Sequence, residues 1–208
     1  MTSATDGEHE ARHLVQGRLL EAATLVWNVL GVCVLAIAAV TARSVALAGF
    51  GLDSVIEIGA SLVVLWELAD VALDRRRRGM RLIGGAFVLL AAYLAVQSTV
   101  VLVLGVHSHH SPLGIGWTAA TALVMFSLAL GKARTGAALG NPVLRAEGRI
   151  TLIDGILATA VLAGLLLNAL VDWWWADPVA GYVILFYALQ EARGSLAHGT
   201  GRDGAERA

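Results

Sequence analysis

Six long apolar stretches, each close to the length of a membrane span, restrict what this chain can fold into. An α-helix needs about 20 largely apolar residues to cross the roughly 30 Å hydrocarbon core of a bilayer. Of the 208 residues, 57% are hydrophobic and only 15% are charged, whereas soluble domains carry about 25% charged residues. The sequence therefore predicts an all-α integral membrane protein with six transmembrane helices. They are expected near Leu19–Val40, Val45–Leu68, Leu82–Val106, Leu113–Leu130, Ile150–Val171 and Trp175–Leu189.

The polar segments around these stretches predict the topology. We expect an N-terminal tail over residues 1–18, a membrane domain over 19–194 and a short C-terminal tail over 195–208. If the spans alternate in direction, all of the 15 Lys and Arg residues except Arg43 fall on the side that holds both termini. Because Lys and Arg are enriched in cytoplasmic segments, both termini are predicted to be cytoplasmic. The expected location is the plasma (inner) membrane.

Composition argues against several functional classes. A formal net charge of −1 argues against a nucleic-acid-binding protein. The single cysteine, Cys33, excludes a disulfide framework and a Cys-rich zinc site, and its place in an apolar run predicts a buried thiol. The deep polar residues form no Ser/His or Asp/Asp arrangement typical of an intramembrane protease, so we do not expect an enzyme.

Three acidic residues fall at predicted membrane depth. Asp53 and Glu57 interrupt the second stretch, and Asp154 interrupts the fifth. A charge at the middle of a membrane helix costs at least about 2.5–3.5 kcal/mol, so such a residue needs a proton, a partner or a water-filled cavity. The spacing of four places Asp53 and Glu57 on one helix face, where like charges repel unless a cation or a proton lies between them. This pattern favours a cation site.

The depths of these acids agree to within about one helical turn. Counted at 1.5 Å per residue from Ser44, a candidate N-cap, Glu57 lies roughly 20 Å along the second helix, which is roughly 10 Å from the inner boundary of the core. Asp154 lies roughly 6 Å inside the same boundary. We therefore expect oxygens of Asp53, Glu57 and Asp154 to share one pocket in the inner half of the membrane.

Other interpretations of these residues stay open. Asp154 could be a shallow acid paired with Arg149, and the acids of the second stretch, Asp53 and Glu57, could be protonated groups with a structural role. Asn28, in the first stretch, could form a helix–helix hydrogen bond or serve as a fourth ligand.

Polar and aromatic residues near the membrane boundaries have less specific meanings. Glu21 is expected at the interface, and Trp173–Trp175 are expected to form an interfacial belt. His107, His109 and His110 cluster on an outer loop. They could capture zinc, since imidazole is a good zinc ligand, or they could simply be part of a solvated loop.

Two motifs resemble a known family of membrane proteins. The segment Ser44–Ser61 (SVALAGFGLDSVIEIGAS) resembles the second helix of the cation diffusion facilitator (cation efflux) family, in which Ser-x-Ala-Leu precedes two ligands four residues apart. The segment Arg145–Asp154 is similar to its fifth helix, where a second pair of ligands completes the site, and Asp177–Tyr182 is similar to the start of its sixth. The resemblance implies a six-helix divalent cation transporter that lacks the family's C-terminal cytoplasmic domain.

The resemblance also implies a set of ligands. Asp53, Glu57 and Asp154 take metal-ligand positions, whereas Ile150 stands where the family has His or Asp. Glu57 replaces the more usual Asp and reaches one methylene further. An all-oxygen site is harder than one that includes imidazole, so Mn²⁺ is expected as a substrate alongside Zn²⁺, the family's most common one.

Together these features predict a divalent cation/proton antiporter. Because Ile150 removes one ligand, the alternative is a non-transporting membrane protein that binds metal or a partner protein through the same helices. A small proton-coupled drug exporter also fits the size, but it explains less well why acids occur in two helices at similar depth. The expected partners are the lipid bilayer, divalent cations, protons and a second copy of the chain, since Gly49, Gly51 and Gly59 indicate close packing within or between chains.

Overall fold

A computed structural model shows six α-helices, and no strand occurs in the backbone that it describes, residues 2–69, 73–139 and 142–200. Side chains are described over residues 15–59, 81–139, 144 and 148–197. The all-helical fold with six helices is therefore confirmed. The helices are α1 (Thr2–Ala42), α2 (Val45–Ala69), α3 (Leu73–Leu104), α4 (Pro112–Ala138), α5 (Pro142–Val171) and α6 (Ala176–Thr200).

Several helices extend beyond the predicted spans. Helix α1 begins within the predicted N-terminal tail, α4 continues past Leu130, and α6 continues past Leu189. Within the described residues, four stretches are long and apolar enough to cross a membrane, and residues 201–208 of the predicted C-terminal tail lie outside the description. The tail boundaries and the orientation in the membrane stay predictions. The four stretches are Val15–Ala42, Arg81–Leu104, Pro112–Ala138 and Gly148–Val171.

Helix α2 lies at the centre of the bundle. It contacts α1, α3, α5 and α6, while α3 packs mainly on α6 and α5 packs mainly on α4. Small residues allow close approach: a Cβ at Gly49 would lie 2.6 Å from Leu94 Cδ2, and one at Gly51 would lie 3.2 Å from Leu35 Cβ. Gly59 has open space around it, so close packing within the chain is found at two of the three predicted glycines.

One end of the bundle carries the loops at residues 43–44, 105–111 and 172–175, and we call it the loop end. These loops are tied together: the His109 backbone N–H donates to the Ala42 carbonyl at 2.7 Å, and the Asn168 amide donates to the Ser108 carbonyl at 3.1 Å. The opposite end, where α1 begins and α6 ends, is called the terminal end. Helices that follow one another in the chain thus run in opposite directions between the two ends.

At the loop end, Asp177 of α6 caps the first turn of α2. The Ser44 hydroxyl and the Val45 backbone N–H both donate to its carboxylate, the latter at 2.9 Å, and Asp177 is fully buried. Ser44 in turn accepts from the Leu47 N–H at 3.0 Å, which confirms it as the N-cap of α2. The first N–H groups of a helix have no partner within it, so this acid satisfies them and fixes α6 against α2.

The thiol of Cys33 is exposed on the surface of α1, so the predicted buried thiol is wrong. An apolar run in a membrane helix is flanked by lipid as well as by protein, and sequence apolarity alone does not distinguish the two faces. Trp173 and Trp175 stack at the loop end with ring centroids 5.0 Å apart.

Replacing Asp177 with Ala is expected to lower the free energy of unfolding by about 1–3 kcal/mol, because the Ser44 hydroxyl and the Val45 N–H lose a buried acceptor. The midpoint of chemical unfolding in detergent, followed by circular dichroism, measures this. The control is Asp172→Asn at the same end, where an exposed side chain and a positive φ of 54° suit Asn equally well. Equal midpoints for Asp177→Ala and the wild type would contradict the capping role.

Candidate functional site

Acidic side chains from α2 and α5 meet inside the bundle. Asp53 and Asp154 are 7% and 6% exposed, and Glu57 is half-buried. The carboxyl groups of Glu57 and Asp154 lie within hydrogen-bonding reach of each other, and Asp53 interacts electrostatically with both. The structure thus brings the three predicted acids together, while their role as metal ligands stays a prediction.

Asn28 of α1 joins this group. Its amide Nδ2 donates to Glu57 Oε2 at 3.1 Å, and the residue is 8% exposed. The preceding residue, Trp27, stacks on Trp117 of α4 with centroids 4.8 Å apart and donates to the Thr121 hydroxyl at 3.1 Å. These contacts fix the rotation of α1 about its axis. Asn28 forms a helix–helix hydrogen bond, which was one of the two roles predicted for it.

The pairing of Glu57 with Asp154 defines what the site can do chemically. A carboxylate is only an acceptor, so a hydrogen bond between two carboxyl groups requires a proton on one of them. Among the described residues, no three His, Cys, Asp or Glu side chains are arranged to hold a metal ion as they stand. A proton on either acid would join the two groups, and a cation that replaced it would draw the same oxygens together.

Glu191 of α6 is a fourth acid that the sequence analysis missed. It interacts electrostatically with Asp53, Glu57 and Asp154, and its side chain is exposed. The sixth span was expected to end at Leu189, so Glu191 was expected just beyond the apolar core of the membrane. The sequence signal that could have found Glu191 is an acid almost directly after an apolar stretch. No residue pattern indicated that the helix continues beyond that stretch.

Lys132 of α4 is completely buried beside this group, although it was predicted to lie in a cytoplasmic segment. Its Nζ lies 3.1 Å from Glu21 Oε2 and 3.1 Å from the Thr151 hydroxyl. It also interacts electrostatically with Asp154. Glu21 therefore forms an ion pair, rather than simply facing the interface, and the cation near Asp154 is Lys132, whereas Arg149 is exposed.

A glycine explains how Lys132 comes to be enclosed. A Cβ at Gly148 would lie 3.2 Å from the Ala133 backbone N and 3.3 Å from both the Ala129 carbonyl and Lys132 Cβ. Helix α5 therefore packs backbone against backbone on α4 at this level. A larger residue at 148 would separate the helices and open the lysine to water.

The three histidines lie at the loop end and do not join the acids. His107, His109 and His110 are exposed. The His107 ring packs on Trp174 with centroids 5.1 Å apart, and His110 Nε2 lies 3.5 Å from Asp172 Oδ1. Zinc capture at this loop stays a prediction.

A bundle of long apolar helices, with acids brought together between α2 and α5, is the architecture of a polytopic membrane protein. The cation efflux transmembrane domain family matches residues 73–199, which is more than half of the chain. The chain belongs to the cation efflux family, whose members transport metal cations. The matched region includes Asp154 but begins after Asp53 and Glu57. No curated protein sequence matches the chain.

A double-mutant cycle on Glu21 and Lys132 tests the buried ion pair. Removing either charge, by Glu21→Gln or Lys132→Met, is expected to lower the free energy of unfolding by about 1–3 kcal/mol, since the remaining group loses a hydrogen-bonded partner. The double variant is expected to lose clearly less than the sum of the two single changes. Unfolding midpoints in detergent give the three values, and strictly additive losses would contradict the pairing.

Proposed function

We propose that this protein is a divalent cation efflux transporter of the plasma membrane, which exchanges a metal ion for protons at Asp53, Glu57 and Asp154. The observation that carries the proposal is the close approach of two buried carboxyl groups, those of Glu57 on α2 and Asp154 on α5. A proton shared between them would hold together two helices that would otherwise repel each other. A divalent cation in its place does the same and ionises both acids.

The exchange follows from this competition. The metal arrives from the cytoplasm at the terminal end, where the exposed Glu191 attracts it towards the deeper acids. It displaces the shared proton and binds the carboxylates. A rearrangement of the helices then exposes the group to the other side of the membrane, as in alternating-access transporters. Protons take the carboxylates there, release the metal and return inward.

The donor atoms determine the preferred metal. Asp53, Glu57 and Asp154 offer only carboxylate oxygens, and Asn28 can add at most an amide oxygen. Hard divalent ions such as Mn²⁺ accept all-oxygen sites, whereas Zn²⁺ gains more from imidazole or thiolate. We therefore propose Mn²⁺ or Zn²⁺ as the substrate. A homodimer stays a prediction.

A second candidate function is a membrane protein of the same fold that binds metal or a partner without transport. Ile150 favours it, because this residue is 44% exposed one turn before Asp154 and cannot act as a ligand. Saturable metal binding in detergent, together with no counterflow of radiolabelled metal in proteoliposomes, would support this second function over the first.

Asp53→Asn and Asp154→Asn are each expected to reduce metal-dependent proton flux in proteoliposomes to background, because an amide neither ionises nor exchanges a proton. A pH-sensitive dye inside the vesicles reports the flux when Mn²⁺ or Zn²⁺ is added outside. Asp172→Asn, an exposed acid at the loop end, is the matched control and should transport like the wild type. Undiminished flux in both site variants would reject the proposal.

Ile150→His is expected to tighten Zn²⁺ binding by roughly tenfold or more and to change Mn²⁺ binding less, because it adds an imidazole next to three carboxylates. Competition with a chromophoric chelator in detergent measures both affinities. The control is Ile156→His, an exposed position on the same helix that lies about 120° around α5 from residue 150. Equal Zn²⁺ affinities in the two variants would show that residue 150 does not face the site.

A further inference from the structure

The buried lysine beside the acids has no part in the exchange described above. Lys132 is 0% exposed, and its Nζ is held between Glu21 Oε2 and the Thr151 hydroxyl, at 3.1 Å from each. A stop-transfer lysine would extend to water at the membrane boundary. Because this charge is enclosed inside the bundle, Lys132 acts on groups inside the bundle rather than as an anchor at the membrane surface.

The position of Thr151 brings the ammonium group close to the site. Thr151 and Asp154 are three residues apart on α5 and both are buried, so they share one face of the helix. The group bound at Thr151 therefore lies about one turn from the Asp154 carboxyl, and the two charges interact. Glu21 Oε2 pairs with the same ammonium group at 3.1 Å.

We infer that Lys132 is the built-in counter-charge of the cation site, a positioning residue that limits how tightly the acids hold a divalent ion. This inference rests on the proposed function. Three deep acids and Glu191 form a strongly negative group, which would retain a divalent cation and hinder its release. The fixed ammonium neutralises part of this negative charge. Because it is also paired with Glu21, only part of its positive charge acts on Asp154.

The test compares metal affinity in a background where the ion pair is already broken. In Glu21→Gln protein, the further change Lys132→Met removes the positive charge without leaving an unpaired Glu21 carboxylate. It is expected to tighten Mn²⁺ and Zn²⁺ binding by roughly tenfold, because the ammonium is a positive charge that repels the bound metal ion. The further change Lys132→Arg keeps the charge and should leave the affinity near that of Glu21→Gln alone. Isothermal titration in detergent measures all three.

Two controls separate the local charge from other effects. Arg134→Met removes an exposed positive charge from the same helix, two residues further on, and should not change the affinity. Adding Asp154→Asn to the Glu21→Gln, Lys132→Met protein should abolish the gain, since the lysine acts through that acid. A lysine with only a structural role would give weaker or unchanged binding in the Lys132→Met protein.

The outcomes distinguish this inference from the proposed function. If the wild type binds metal and the change at Lys132 does not tighten binding, the counter-charge role is wrong and the site stands. A gain in affinity that persists without the Asp154 carboxylate would also overturn the role. If wild type and Asp154→Asn show the same lack of Mn²⁺ and Zn²⁺ binding, the proposed function fails, and this inference fails with it.

Discussion

The close approach of the Glu57 and Asp154 carboxyl groups is the contact on which the centre of the molecule depends. Two carboxyl groups on different helices inside a bundle repel each other unless a proton or a cation lies between them. The polar groups around them adjust that balance: Asn28 donates to Glu57, Asp53 and Glu191 add negative charge, and Lys132 adds positive charge. The interaction that holds α2 against α5 is therefore also the one that a metal ion would exploit.

The helices around this contact are fixed by polar and steric features at other levels. Asp177 caps α2 at the loop end, which sets the height of the acids on α2 relative to α6. Gly148 brings α5 onto α4, which sets the height of Asp154 relative to Lys132. In a bilayer, apolar burial between helices contributes little, so such close contacts and buried hydrogen bonds determine the arrangement.

Much of this could be predicted from the sequence. Apolar stretches of membrane length gave the six helices, Ser44 gave the start of α2, and helical periodicity with depth along each span placed Asp53, Glu57 and Asp154 at one level. Each of these predictions uses a regularity that lies within a single helix. The chain's membership of the cation efflux family agrees with the resemblance carried by the same motifs.

The remaining features depend on how helices face one another, which a single sequence does not state. Lys132 lies two residues past the expected end of its span, where a lysine is ordinarily solvated, but in the bundle it is buried beside the close approach of α5 to α4 at Gly148. Glu191 joins the site because α6 continues as a helix beyond its apolar part. Cys33 is exposed because it lies on the outward face of its helix. In an apolar run, the residues of the outward and inward faces are equally apolar, so the sequence does not distinguish them.

The central claim is that a divalent ion replaces the proton shared by Glu57 and Asp154. Anomalous difference maps of crystals soaked separately in Mn²⁺ and Zn²⁺ test it most directly. The account predicts a peak between these two carboxyl groups, within coordination distance of Asp53 as well. A peak only at the loop-end histidines, or no peak inside the bundle at saturating metal, would contradict it.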